Sequence, residues 1–278
     1  MSRDRRVLRR FGPIGLIALM AAASPPLATP GVSRYAIAGI TPGMSLASAI
    51  AEMHQTFARE GLTDVHAVSV NAQMANGGRV RRLTIDQSAS SPPSGEQYYH
   101  EDHFRLRLAG APGEERVTSI TRDYLAPVGL ARQSVIDRLE KNFGRPSNAN
   151  IPAADVAPNS AVLTWMVGSS GTQVGGGSQS SRELVCSSGM LNYFDAFDNA
   201  GNSNDAILRL LQEQKSHGCS LVIQVSLAYD AIHFEAYDVL SALNALGSSM
   251  AERAPAENTN KVMSHSEKSN NADVGIRY

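Results

Sequence analysis

GMSLASAIAEMHQTF, residues 43–57, returns 86 positions later as GLARQSVIDRLEKNF, residues 129–143, with Gly43, Met44, Ile50, Met53 and Phe57 matched by Gly129, Leu130, Ile136, Leu139 and Phe143. In both copies the apolar residues recur every three or four positions, which places them on one stripe of an α-helix. Ser45 is positioned to cap the first helix and Gly61 to end it, while Gly144 and Pro146 stop the second. A period of this length exceeds that of a solenoid repeat and implies a duplicated α/β unit.

Each helix leads into strand-forming sequence. After the first come Val65 to Val70, Val80 to Ile85, Phe104 to Leu108 and Val117 to Tyr124. Alternation is clearest where Phe104, Leu106 and Leu108 interleave with Arg105 and Arg107, the pattern of a strand with one wet face. Ser88 to Gly95, rich in Ser and Pro, reads as a loop between strands. After the second helix follow a strand at Ala161 to Val167 and a low-complexity run, Gly168 to Ser181. Beyond these lie a short apolar segment at Leu184 to Phe197, read as a strand near Val185, and a helix from about Asp205 to Ser216. A strand at Leu221 to Leu227 and a helix-like end at Ala236 to Leu246 complete the second unit. Ser248 to Tyr278 holds almost no large apolar residue and reads as a disordered tail. The expected fold is therefore α+β, with two modules of amphipathic helix on antiparallel sheet at 29–125 and 126–247. A signal peptide, 1–28, and a tail, 248–278, flank them.

The export reading rests on a basic head of Arg3, Arg5, Arg6, Arg9 and Arg10, an apolar run from Phe11 to Ala23, and small residues at Ala21, Ala23 and Ala28. An apolar run of that length falls short of the ~20 residues a spanning helix needs. Arg9-Arg10 invites a twin-arginine reading, but the surrounding residues fit that signal poorly. Cleavage near Ala28 leaves 20 basic and 25 acidic residues, a mildly acidic product. That balance argues against nucleic-acid binding, whose affinity comes from cations on phosphates. No lipobox-like cysteine follows the signal, so no stable membrane anchor is expected after cleavage, and the expected location is periplasmic or secreted. Cys186 and Cys219 are the only cysteines, and in an oxidising compartment an isolated pair reads as a structural disulfide.

No cofactor, metal site or catalytic set is expected, because each candidate has a plainer reading. His100-Glu101-Asp102-His103 enters a strand, where His100 and His103 should diverge, so a solvated strand edge is preferred to a metal site. The polar loop from Asp195 to Asp205 fails the EF-hand register at Ala200 and Arg209. It reads instead as a turn whose Ser203 or Asn204 caps the next helix. Gly175-Gly176-Gly177-Ser178 lacks the lysine of a phosphate loop, and no Gly-x-Ser-x-Gly elbow occurs. Trp165, the only tryptophan, shares strand parity with Leu163 and Val167 and reads as core. Tyr98 and Tyr99, beside the Ser/Pro loop, are candidate contacts for a partner.

The stop Phe143-Gly144-Arg145-Pro146-Ser147, followed by Thr164-Trp165 in the next strand, resembles the β-lactamase inhibitor protein-like modules, as does the entry Ile40-Thr41-Pro42-Gly43-Met44-Ser45. That superfamily includes small envelope lipoproteins of the SmpA/OmlA type and tandem-module secreted inhibitors. The resemblance implies a helical layer on an antiparallel sheet and action by binding other proteins. The chain departs from the lipoprotein members in lacking a lipidated cysteine. The functional expectation is an exported, soluble, non-catalytic binding protein with an envelope or extracellular protein as partner. The alternative is a periplasmic hydrolase acting on an envelope substrate, marked by a deep polar pocket with converging His, Asp or Ser.

Overall fold

The computed structural model describes residues 35–75, 80–91, 100–125, 131–153, 159–168, 173, 181–199, 203–228 and 231–251. Residues 1–34, where the expected signal peptide falls, Tyr98 and Tyr99, most of the low-complexity run and residues 252–278 lie outside the described residues.

Both repeated helices form. In α1 (Leu46–Arg59) the Ser45 hydroxyl accepts the Ser48 amide at 3.3 Å, and Ala49, Met53 and Phe57 are buried. Gly61 follows with φ of 70°, a left-handed turn that a side chain would oppose. Helix α2 (Arg132–Phe143) buries Ile136, Leu139 and Phe143. It stops at Gly144, whose carbonyl accepts the Trp165 indole N–H at 2.8 Å.

Among the described residues, nine strands form one antiparallel sheet. They are β1 (Asp64–Val65), β2 (Ser69–Ala75), β3 (Val80–Ser90), β4 (Glu101–Gly110), β5 (Arg116–Leu125), β6 (Asn148–Asn150), β7 (Ala161–Val167), β8 (Leu221–Ala228) and β9 (Ala231–Asp238). The order is β1-β3-β4-β5-β9-β8-β7-β6, with β2 beside β1 along the same edge of β3. The strands following α1 and those following α2 each build half of the sheet, and the halves meet where β5 pairs with β9 from Ser119↔Tyr237 to Leu125↔Ala231. Helices α1 and α2 pack on one face, and the core beneath them is continuous across the join. It joins Met53 and Phe57 to Leu106 and Ile120, and Leu139 and Phe143 to Trp165 and Ile223. Trp165 is fully buried edge-on to Phe143, 5.3 Å between centroids, as parity with Leu163 and Val167 requires. Removing an aromatic side chain from such a core costs about 3–5 kcal/mol.

Four readings of the sequence are corrected. The Val65 to Val70 stretch is two strands interrupted at residues 66–68, although the His66 amide still reaches the Ser88 carbonyl at 2.9 Å. Ser88, Ala89 and Ser90 belong to β3 rather than to a loop. The apolar segment around Val185 is a helix, α3 (Ser181–Asp198), which buries Met190, Tyr193, Phe194 and Phe197. Finally, Ala236, Tyr237 and Asp238 close β9, and helix α5 (Val239–Ala251) starts after them, passing the expected border at residue 247. Its start is set by Asp238, whose carboxylate accepts the Ser241 amide at 2.8 Å.

Helix α4 (Asn204–Ser216) begins as expected, with the Ser203 hydroxyl accepting the Ala206 amide at 3.3 Å. Together α3, α4 and α5 form the second helical layer, on the opposite face from α1 and α2, over Val80, Ala109, Met166, Val222 and Tyr237. Cys186 of α3 and Cys219, just beyond α4, have sulfurs at disulfide-bonding distance and Cα atoms 5.7 Å apart, compatible with a disulfide and an oxidising location. The bridge would tie helix to helix, not a strand to a helix. No helix among the described residues is long and apolar enough to cross a membrane.

Candidate functional site

The helices α3, α4 and α5 cover only one end of their face of the sheet, and the covered end is held by arginines. Arg107 grips Asp198, the last residue of α3, through Nε at 3.0 Å and Nη2 at 2.5 Å, and lies 4.3 Å over the Phe194 ring. Thr84 donates to the same carboxylate at 3.1 Å. Arg82 reaches the Ala196 carbonyl at 3.4 Å, placing a second cation at the negative end of α3. Here β5 carries one extra residue opposite Arg107 and Leu108. That residue, Thr118, donates to the Arg107 carbonyl at 3.0 Å and accepts from the buried Tyr193 hydroxyl at 2.8 Å. Asp198, part of the loop considered for calcium, is thus used for an ion pair. No group of three or more His, Cys, Asp or Glu among the described residues is placed to hold a metal ion.

Toward the other end, where β3 finishes and β4 begins, the same face is open. Strand parity and register set a row of charged side chains across it: Asp86 of β3 opposite Arg105 of β4, His103 of β4 opposite Asp123 of β5, and Asp123 opposite His233 of β9. Ser226 of β8 and the exposed Val162 of β7 extend the row. Arg105 donates to Asp86 at 2.6 Å, and His103 lies 3.5 Å from Asp86 and 3.7 Å from Asp123. His233 is bracketed by two carboxylates, Asp123 at 2.5 Å and Glu235 at 3.2 Å. The Asp123 side chain keeps 54% of its surface exposed, so this is a surface array and not a buried network.

The electrostatics follow from those contacts. Hydrogen bonds from His103 and His233 hold the Asp123 carboxyl well below the usual carboxylate range, more than offsetting desolvation. Bonds to Asp123 and then to Glu235 push the His233 imidazole up to about 10. The bond to Asp123 likewise raises His103. At neutral pH the His233 imidazole is therefore held as a cation between two anions. A histidine in that state cannot act as a general base, which must be neutral to accept a proton.

One residue along β4 and β5, the side chains point to the helix-covered face and their environment inverts. Arg122 forms a bidentate pair with the fully buried Asp102, at 2.9 and 2.7 Å, and a third bond to Glu60 at the end of α1, at 2.9 Å. Its guanidinium packs on the faces of Phe104, Tyr124 and Phe234 at 5.2, 5.0 and 5.9 Å. Desolvation raises the Asp102 carboxyl despite this pairing. His100 lies on this side, 3.5 Å from Glu60, so His100 and His103 do diverge across the sheet. His103, however, stands on an interior strand and not at a solvated edge.

Asp86, Asp123 and His233 were not singled out from the sequence, and Glu235 was weighed only as a chance carboxylate partner of Asp230. Asp123 sits at outward parity in an expected strand, and Asp86 lies one residue past the expected strand end at Ile85, so parity carried one residue further could have supplied both. His233 was hidden, and Glu235 left without its neighbours, because the end of β9 was read as helix from Ala236. Tyr98 and Tyr99 lie outside the described residues, but the flanking Ser91 and His100, joined at 2.9 and 3.1 Å, are at the open end of the sheet. No family model, curated protein or solved structure matches the chain.

Proposed function

We propose that the protein is an exported, non-catalytic binding protein whose open sheet face docks another macromolecule of the cell envelope or its surroundings. The observation that supports this best is the charged row Asp86–Arg105–His103–Asp123–His233–Glu235, solvent-accessible on strands whose opposite face carries the larger core. Its side chains are held by mutual hydrogen bonds, so less rotamer entropy is lost on docking, and the alternating charge favours register and specificity over raw affinity. The paired halves of the sheet and the repeated helices support descent from a duplicated helix-plus-sheet module, in keeping with the resemblance to β-lactamase inhibitor protein-like modules. The cysteine pair supports an oxidising compartment.

A hydrolase is less well supported. Among the described residues, every close contact of the two imidazoles on the open face is to a carboxylate, and neither imidazole is bonded to a hydroxyl or thiol nucleophile.

The test is in-cell cross-linking and capture of the wild-type protein beside an Arg105→Glu, Asp123→Lys variant. A partner recovered after a salt wash with wild type, and lost with the folded variant, is the expected result. Equal recovery with both, or recovery with neither, would overturn the assignment of this face.

A further inference from the structure

On the opposite face from the charged row, α2, residues 36–38 and Glu60 enclose a cleft of about 460 Å³ over the β5–β9 join. That volume is within the roughly 300–1,000 Å³ typical of small-molecule sites. Its floor is Arg122, Tyr124, Ile232 and Phe234, and one wall is residues 36–38. The other wall is α2, which contributes two parallel ridges. Val135 and Leu139 recur four apart as an apolar ridge, and beside them Ser134, Arg138 and Asn142 recur four apart as an exposed polar one. A ligand seated here meets hydrocarbon along its length and polar groups along one rim.

The charges along the cleft are unequal. Its lining holds one acid, Glu60, and two arginines, Arg122 and Arg138. Glu60 and Asp102 both bond Arg122, so that cation is already compensated. Arg138 has no ion-pair or hydrogen-bond partner among the described residues. The Nη1 group of Arg122 takes no part in the bonds of Nε and Nη2, so two further N–H donors remain on a side chain that is nine-tenths buried. The cleft therefore combines an apolar channel, unused donors and one uncompensated cation at its rim, and offers no uncompensated anion.

We infer that this cleft is a binding site for a single-chain anionic amphiphile of the alkyl-carboxylate class. The chain lies along Val135, Leu139, Phe143, Ile232 and Phe234, and the carboxylate meets Arg138 and Asn142. The site is independent of the sheet-face reading above, and each can fail alone.

Dodecanoate below its micellar concentration is the probe, with dodecyltrimethylammonium as its charge-reversed control, both followed by isothermal titration calorimetry on the purified chain. Wild type should bind dodecanoate saturably at one site, at least tenfold more tightly than the cation. Arg138→Glu, on an exposed helical position with little bearing on folding, should remove that preference. Val135→Phe, checked for an unchanged circular dichroism spectrum, should fill the channel and weaken both ligands. Absence of saturable binding to wild type, as when the cleft is occupied by the chain's own residues, would overturn the inference. Equal binding of anion and cation, or a preference retained in Arg138→Glu, would overturn it as well.

Discussion

Asp102 and His103 are neighbours on β4, and Arg122 and Asp123 are neighbours on β5, yet the two resulting ion clusters differ in nearly every physical respect. Asp102–Arg122 points to the helix-covered face, where the carboxylate is fully buried and the guanidinium is walled by aromatic rings. His103–Asp123 points the other way, joins His233, and stays half in water. A single residue's shift along a strand exchanges one setting for the other. The inward pair must be satisfied for the fold to persist, because a buried charge without its partner is costly. The outward cluster stabilises little and is free to serve recognition.

The sharpest way to break this comparison is Asp102→Asn. It leaves the Arg122 cation buried with only Glu60 to compensate it, and the expected loss is about 3–5 kcal/mol in urea denaturation. A loss under 1 kcal/mol would place the cluster in effectively aqueous surroundings.

Next in size is the contrast between the covered and open ends of the second face. Cys186→Ser, or reduction, should cost about 3–4 kcal/mol by freeing the chain across a separation of 33 residues. Proteolysis should then appear first in α3 and α4, while the amides of β3 and β4 keep their hydrogen-exchange protection.

A smaller effect tests the open cluster. The raised His233 pKa means that the folded protein keeps a proton that the unfolded chain releases near pH 6.5. This contribution is complete below about pH 6.5 and is lost as the pH rises through about 10. The lowered Asp123 pKa has the opposite sense, present above its ordinary value of 3.8 and lost on acidification. Allowing for solvent screening of groups this exposed, stability should fall by about 1 kcal/mol between pH 6.5 and 10, and His233→Gln should flatten that slope. The smallest effect belongs to Arg105→Gln, whose half-exposed bond to Asp86 should contribute under about 0.5 kcal/mol to the melting free energy.

What was legible in the sequence was whatever a local pattern dictates. The repeated helices, the parity of Phe104 and Leu106, the core position of Trp165, the Ser45 and Ser203 caps and the pairing of Cys186 with Cys219 all follow from spacing within a few residues or from simple count. What was missed depends on tertiary context. Helix α3 has little amphipathic signal because it is packed on several sides, with Met190, Tyr193 and Phe194 contacting the sheet and the neighbouring helices. Strand β9 is central in the sheet and runs directly into α5, so the apolar pattern crosses the boundary and only Asp238 marks it. The charged row could not be read as a unit, because its members come from β3, β4, β5 and β9 and meet only through a register set by the whole sheet.

The measurement that bears most directly on the division of labour between the faces is site-specific photo-cross-linking in cells. A photoreactive residue at position 105 on the open face is compared with one at position 55, on the exposed side of α1. The account predicts a discrete high-mass adduct from position 105 and none from position 55. Adducts of equal yield from both positions, or an adduct from position 55 alone, would contradict it.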